Sequence, residues 1–170
     1  MSDTATSVDD LDLTLLSLFA GWAWADEVQR RLADAGFADL RFGDGVIFQQ
    51  LVENDLTVTD LAERMQVSQQ AASKAVADLR RRGWLRQQVD SQDARARRVG
   101  LTERGREAIE AGRRIRSELV AETAAVHGAK DLQATRRVLA GAIARLGGDS
   151  AVRGRGGCRP GEPAPRPPSP

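Results

Sequence analysis

Residues 57–105 read TVTDLAERMQVSQQAASKAVADLRRRGWLRQQVDSQDARARRVGLTERG, and this stretch decides the fold. Its first half predicts two short helices separated by a tight turn. Thr59 and Asp60 are expected to begin the first helix, because their side-chain oxygens accept the unpaired N–H bonds of a first turn. Ser68 is a natural N-cap for the second helix. Gly83 suits the left-handed position that follows a helix end.

The second helix carries two faces of different chemistry. Its inward face is apolar and consists of Ala72, Ala75, Val76 and Leu79. Its outward face near the N-terminus is polar and holds Ser68, Gln69, Gln70, Ser73 and Lys74. Amides and hydroxyls pair with base edges, and an ammonium group binds phosphate. The pattern therefore predicts a DNA recognition helix.

A charged hairpin is predicted after this helix. Residues 84–89 indicate one strand, residues 90–93 a turn, and residues 97–101 a returning strand. The tip holds Asp93, Arg95, Arg97 and Arg98. A cationic hairpin beside a helix-turn-helix is a wing. Thr102 is expected to cap the long helix that follows.

The wing arginines are assigned separate roles. An arginine such as Arg95 suits the minor groove, whose negative potential favours a guanidinium, and Asp93 is placed to orient it by a bidentate contact. Arg97 and Arg98 are expected to meet phosphate. Double-stranded DNA is the partner that this arrangement predicts.

The charge distribution favours the same partner. The formal net charge is only +1. However, residues 1–63 hold 13 acidic and 3 basic side chains, whereas residues 64–116 hold 14 basic and 6 acidic ones. The basic charge thus lies on the second helix, the wing and the helix after it, where a duplex would bind. A simpler reading of Arg80, Arg81 and Arg82 is a solvated helix end favoured by the helix dipole.

These features together resemble the MarR family of bacterial transcription regulators, which are winged-helix homodimers. The matching segments are LTVTDLAERMQVS, VADLRRRGWL and DSQDARARRVGLTERG, and the resemblance spans residues 8–147. The family wing usually reads Asp-Pro-x-Asp-x-Arg, followed later by Leu-Thr. Asp90, Asp93, Arg95, Leu101 and Thr102 fit this pattern. Ser91 replaces the usual proline and Ala94 a frequent second arginine, which would loosen the turn and remove one phosphate contact.

The terminal segments show apolar residues at helical spacing. Leu11, Leu15, Leu18 and Trp22 begin one such series, and Leu132, Leu139 and Leu146 belong to another. Spacing of this kind forms a seam between helices, which serves either the core of the monomer or a second subunit. Flanking apolar residues provide a second surface, which favours a subunit interface in addition to a core. The family resemblance implies a homodimer through these helices.

The expected architecture is a mainly α domain with a small β wing, dimeric through its N- and C-terminal helices. Residues 1–7 are expected to be flexible, and residues 8–146 to form the domain. Within it, residues 8–35 and 102–146 supply the dimerisation helices and residues 43–101 the winged helix-turn-helix. Residues 147–170 are dense in Gly, Pro and Arg, and this composition predicts a disordered tail.

Several other classes of protein are disfavoured. His127 is the only histidine and Cys158 the only cysteine, so a catalytic relay or a zinc site lacks its residues. No enzyme activity, metal or cofactor is predicted, and Asp9, Asp10 and Asp12 are interpreted as a helix start. No apolar run reaches the length of a membrane span, and residues 1–12 lack the basic region of a secretory signal. A cytoplasmic location is expected.

A small-molecule effector is a further hypothesis. Aromatic residues occur where the first helix and the reading part of the domain would meet, namely Phe19, Trp22, Trp24, Phe42 and Phe48. They suit an apolar pocket for an aromatic or lipophilic compound, although each fits an ordinary core as well.

Two functions are compared on these grounds. The first is a sequence-specific regulator, repression being the commoner role in the family. The second is a winged helix that docks a partner protein. The polar helix face and the arginine-rich wing favour DNA, since protein-docking surfaces expose more apolar residues.

Overall fold

The structure is a computed structural model, and it describes residues 7–89, 97–146 and 148. Six α-helices and three strands follow in the order α1 (Leu13–Leu32), α2 (Asp44–Gln50), β1 (Leu56–Thr57), α3 (Val58–Met65), α4 (Gln69–Arg81), β2 (Leu85–Val89), β3 (Arg97–Leu101), α5 (Glu103–His127) and α6 (Ala129–Arg145). A 3-10 turn at Val8–Asp10 precedes α1, and a π-helical turn at Ala33–Phe37 follows it. We call α2, α3, α4 and the three strands the reading head.

The helix boundaries in the reading head follow from local capping. Ser68 accepts a hydrogen bond from the Ala71 amide at 3.1 Å, as an N-cap should. At the other end of α4, Gly83 adopts a φ of 77°, and the Trp84 amide donates to the Leu79 carbonyl at 2.9 Å. This closure satisfies the last carbonyls of the helix. Thr102 caps α5 through the Gly105 amide.

The start of α3 differs from the prediction. The helix begins one residue before Thr59, because Thr57 is its N-cap. Thr57 accepts from the Asp60 amide, and the Asp60 carboxylate accepts from the Thr57 amide at 3.0 Å. This reciprocal pair satisfies two main-chain N–H groups that have no partner within the helix. Thr59 takes no part in the cap, so its assignment was wrong.

The sheet has three antiparallel strands in the order β1-β3-β2, one more than the predicted hairpin. In the hairpin, Leu85 lies opposite Leu101 and Val89 opposite Arg97. The added strand β1 is only two residues long, and it pairs Leu56 with Val99. It joins the wing to the residues that immediately precede α3.

One core fills the reading head. Trp84 is fully buried at its centre, 5.9 Å from the ring of Phe48 between centroids. The guanidinium of Arg104 covers the indole at 3.9 Å, which is a cation–π contact. The other side chains buried almost completely are Leu61, Leu79 and Val99. Helix α4 and the wing therefore rest on a shared core.

A smaller cluster joins α1 to α5. Leu32 packs against Ala111 and Ile115 there. Beside it, Arg31 forms a bidentate salt bridge with Glu122, both bonds being 2.7 Å long. After this contact α1 ends in the π-helical turn, where Gly36 has a φ of 93°.

The two ends of the domain leave apolar residues in solvent. No residue of α6 is buried. Leu18 is 44% exposed, Trp22 55%, Val126 78% and Val138 53%. A single chain therefore does not cover its own terminal helices.

Candidate nucleic-acid interface

The turn between α3 and α4 presents the N-terminal end of α4 to solvent. Gln66 ends α3 in the left-handed conformation, with a φ of 54°. The Val67 amide then donates to the Ala62 carbonyl at 3.0 Å. At the start of α3, hydrogen bonds to the Thr57 hydroxyl and then to the Thr57 amide lower the pKa of Asp60, because they favour its ionised form. The turn is built from local hydrogen bonds.

All five residues predicted for the recognition helix are exposed, and they lie at the N-cap and in the first two turns of α4. They are Ser68, Gln69, Gln70, Ser73 and Lys74. The opposite face of α4 buries Ala72, Val76 and Leu79. The polar face is thus held outward by the core beneath it.

One member of this face already has an intramolecular contact. The Gln69 side-chain amide donates to the hydroxyl of Thr59 on α3 at 3.2 Å. This bond orients Gln69 and leaves its carbonyl oxygen as an acceptor. Gln70 lies beside it on the exposed surface. The two glutamines are therefore not equivalent.

The three consecutive arginines at the end of α4 have separate environments. Arg80 is exposed. Arg81 bonds Asp78 but is 76% exposed. The side chain of Arg82 is 13% exposed, and it bonds Asp44 on α2 at 2.8 and 3.0 Å. The hydrogen bond to Asp44 is the main reason why the pKa of Arg82 is raised above its usual value.

The reading of these arginines as a solvated helix end therefore does not hold for Arg82. This side chain ties the C-terminal end of α4 to α2. A basic run at a helix end predicts no partner for any one member, so the sequence did not separate Arg82 from its neighbours.

The wing residues are placed unequally. Arg97 is exposed on β3. Arg98 is half-buried, and its Nη1 donates to the Asp55 carbonyl at 3.0 Å. Asp93 and Arg95, the predicted minor-groove pair, lie outside the described residues.

A polar cluster at the base of the wing was not predicted. Asp55 binds Arg86 of β2 with bonds of 2.8 and 3.2 Å, and it accepts from Gln88 at 2.9 Å. Gly100 of β3 lies beneath the carboxylate. The strand register would have predicted this cluster, but the register can be assigned from the sequence only once β1 is recognised as a strand.

A cavity of about 650 Å³ lies between α1, α2 and α5. It brings together three of the five predicted aromatic residues, namely Trp24, Phe42 and Phe48. Phe19 and Trp22 do not line it. They form an edge-to-face pair with centroids 5.3 Å apart, and both are about half exposed.

Other site types find no support in the part of the chain that the structure describes. No group of three or more His, Cys, Asp or Glu side chains there is arranged to hold a metal ion. Asp12 accepts hydrogen bonds from the amides of Thr14 and Leu15, as a helix N-cap does. Among the described helices, none is both long and apolar enough to cross a bilayer.

The family predicted from the sequence is found by comparison with family models. Residues 47–96, from α2 to the wing, match the model of the MarR family. The predicted resemblance is therefore confirmed over residues 47–96, which include α4. No curated protein matches the chain.

Solved structures support the fold. S. aureus MepR in complex with DNA is 21% identical, with a TM-score of 0.63 over 79% of this chain and 97% of MepR. B. subtilis YusO is 19% identical, with a TM-score of 0.63 over 79% and 93% of the two chains. MepR bound to ethidium bromide is 20% identical, with a TM-score of 0.59 over 81% and 99%. The predicted winged-helix fold is thus confirmed.

Proposed function

We propose that this protein is a transcriptional regulator that binds double-stranded DNA in a sequence-specific manner. The observation that carries the proposal is the exposed polar face of α4, where Gln69, Gln70, Ser73 and Lys74 project from a helix whose other face is buried. Gln side chains pair with adenine, and Lys with phosphate or guanine. The MarR family match over this helix and the DNA complex of MepR support the same reading.

The regulator acts as a homodimer through α1, α5 and α6. The exposed Leu18, Trp22, Val126 and Val138 supply the apolar surface that a second copy would cover. Two-fold symmetry then places two recognition helices in successive major grooves, about 34–36 Å apart. The DNA site is a near-palindrome in a promoter, and repression is the proposed outcome of binding.

In the wing, Arg95 enters the minor groove and Asp93 orients it, as the family resemblance implies. Arg97 contacts phosphate from its exposed position on β3. Arg98 is also proposed to contact phosphate, but one of its guanidinium nitrogens already donates to the Asp55 carbonyl. Arg95→Ala is therefore expected to weaken binding more than Arg98→Ala.

An effector binds in the cavity lined by Trp24, Phe42 and Phe48 and releases DNA. The lining is largely apolar, which suits an aromatic or lipophilic compound. Asp44 directly precedes the lining residue Gly45, and it binds Arg82 at the C-terminal end of α4. A compound that binds two conformations of the dimer unequally would change the spacing of the α4 helices.

Selection of binding sites from random double-stranded DNA tests the function directly. The wild type should enrich an inverted repeat. The double variant Gln69→Ala, Gln70→Ala should lose about 1–3 kcal/mol of discrimination between that site and its variants. Gln133→Ala, an exposed glutamine on α6, is the matched control. Absence of DNA binding at low salt would favour the protein-docking alternative.

The effector is tested separately. A panel of aromatic and lipophilic compounds is screened by thermal shift, and each compound that stabilises the protein is added to the DNA complex in a gel shift. Release of DNA supports the proposal. Stabilisation by many compounds without release would mean that the cavity is not coupled to DNA binding.

A further inference from the structure

Three residues form one row across the sheet at the base of the wing. Leu56 pairs with Val99 and Thr57 with Arg98, so position 55, one residue before β1, falls opposite Gly100. On the other side of β3, Gly100 pairs with Arg86. Asp55, Gly100 and Arg86 therefore lie side by side, with the glycine in the middle.

The missing side chain at Gly100 is what lets the outer two residues meet. A Cβ at this position would lie 2.6 Å from the Asp55 Cγ and 2.8 Å from its Oδ2, closer than real atoms approach. The carboxylate occupies that space and reaches Arg86 with two hydrogen bonds of 2.8 and 3.2 Å. A bidentate pair of this kind fixes direction as well as distance.

The row two positions further along the sheet contacts the same aspartate. Gln88 and Arg98 are cross-strand partners. The Gln88 amide donates to the Asp55 carboxylate at 2.9 Å, and Arg98 donates to the Asp55 main-chain carbonyl at 3.0 Å. Asp55 thus holds both strands of the wing.

Its position in the chain connects this contact to the recognition helix. Asp55 lies two residues before Thr57, which caps α3, and α3 carries the Thr59 hydroxyl that binds Gln69 of α4. Asp55 therefore links both strands of the wing to α3 and, through Thr59, to α4.

We propose that Asp55 is a positioning residue for DNA binding, which sets the wing at the angle at which it and α4 contact one duplex together. The inference rests on the proposed DNA-binding function. Gly100 is required for the same contact, because any larger residue at this position would displace the Asp55 carboxylate. Without the Asp55 side chain, the wing keeps the short β1–β3 pairing, the Arg98 bond to the main-chain carbonyl of residue 55 and its apolar residues in the shared core. It loses the bidentate contact, which is the one that fixes direction.

A double-mutant cycle between Asp55 and Gly100 tests this. Asp55→Ala should lower affinity for the selected DNA site roughly tenfold, the loss expected for one charged hydrogen-bonded contact. Gly100→Ala should cost a similar factor in the wild type. In the Asp55→Ala background it should cost little, because the added methyl group enters vacated space. Asp39→Ala, which breaks an Asp–Arg bridge to Arg104 away from the wing, is the matched control.

Footprinting separates positioning from a loss of fold. Hydroxyl-radical protection in the minor groove should be lost in Asp55→Ala, while protection of guanine N7 in the major groove is retained. Loss of both to the same degree, unchanged wing protection, or additive costs in the cycle would overturn the proposal. If Asp55→Ala does not fold, Asp55→Asn and Gly100→Ala carry the same measurements.

A failure of the proposed function has a different signature. If the wild type binds no DNA, hydrogen exchange of the β3 amides shows whether Asp55 holds the wing strands in place. Faster exchange at residues 97–101 in Asp55→Ala than in the control would show that Asp55 positions the wing. The positioned wing would then serve a partner other than DNA. Equal exchange in both variants overturns the proposal.

Discussion

The reading head and the terminal helices differ in how far their apolar residues are buried within one chain. In the head, Trp84, Leu61 and Val99 are fully buried within one chain. On the terminal helices, Leu146 is 73% exposed and no residue of α6 is buried. The head has its own core, whereas the ends of the chain present a surface that a second copy would cover.

This difference separates two sources of stability. A core closed within one chain contributes the same free energy at every protein concentration. A surface covered by a second copy contributes only while the copies are associated, so its contribution depends on concentration. Mutations in the two regions should therefore differ in their concentration dependence as well as in size.

The largest effect is expected in the head. Leu61→Ala removes a fully buried side chain and should lower the free energy of unfolding by about 2–5 kcal/mol. Chemical denaturation at two protein concentrations should give the same loss. For Leu146→Ala at the exposed end of α6, any loss should shrink on dilution. A loss at Leu146 that is as large and independent of concentration would abolish the distinction.

Assembly is the next test. Val138 and Ile143 on α6 are 53% and 42% exposed. Changing both to Glu places charges on the proposed interface and should raise the dimer dissociation constant on the order of 100-fold. Analytical ultracentrifugation measures the shift. Val52→Glu, at an exposed valine of the head, is the control and should leave the assembly unchanged.

Neighbouring arginines give a smaller effect within the head. Arg82→Ala leaves Asp44 and Asp78 without their shared cation and should cost about 1–3 kcal/mol of stability. Arg81→Ala, one residue away and 76% exposed, should cost about 0.5 kcal/mol or less. Equal costs in urea denaturation would show that the Arg82 contacts add nothing.

The smallest effect is a pH dependence at Glu27 of α1, beside the Arg31–Glu122 bridge to α5. Hydrogen bonds from Arg30 and then Arg31 lower the pKa of Glu27 to about 2, from a usual value of 4.5. A lowered pKa stabilises the fold above the unfolded value, and this stabilisation is lost as the pH falls from about 4.5 to about 2. The difference in Tm between wild type and Glu27→Gln should therefore shrink across that window. A constant difference would contradict it.

Local chemistry explains what the sequence predicted well. Ser68, Gly83 and Thr102 mark helix ends through bonds to residues at most a few positions away, and all three were recognised. Thr57 was missed as the cap of α3 because Thr59 is an equally good candidate by residue type. The choice depends on the reciprocal bond with Asp60, which the structure shows.

Long-range contacts explain what the sequence missed. Strand β1 has two residues, and its partners lie more than 40 positions further along the chain. The partner of Arg82 on α2 is 38 positions away in sequence, and the partner of Arg86, Asp55, is 31 positions away. Among the aromatic residues of α1, Trp24 lines the cavity and Trp22 does not, because the rotation of α1 is set by its packing on α5.

The burial of Trp84 gives the molecule a built-in optical label. Its indole Nε1 is buried and has no hydrogen-bond partner among the described residues, whereas Trp22 and Trp24 are about half exposed on α1. An indole shielded from water emits at shorter wavelength than one in contact with it. The blue side of the emission band therefore reports on the head and the red side on the first helix. Dissolved iodide should quench the red side selectively, so the two regions can be followed in one sample without any attached dye.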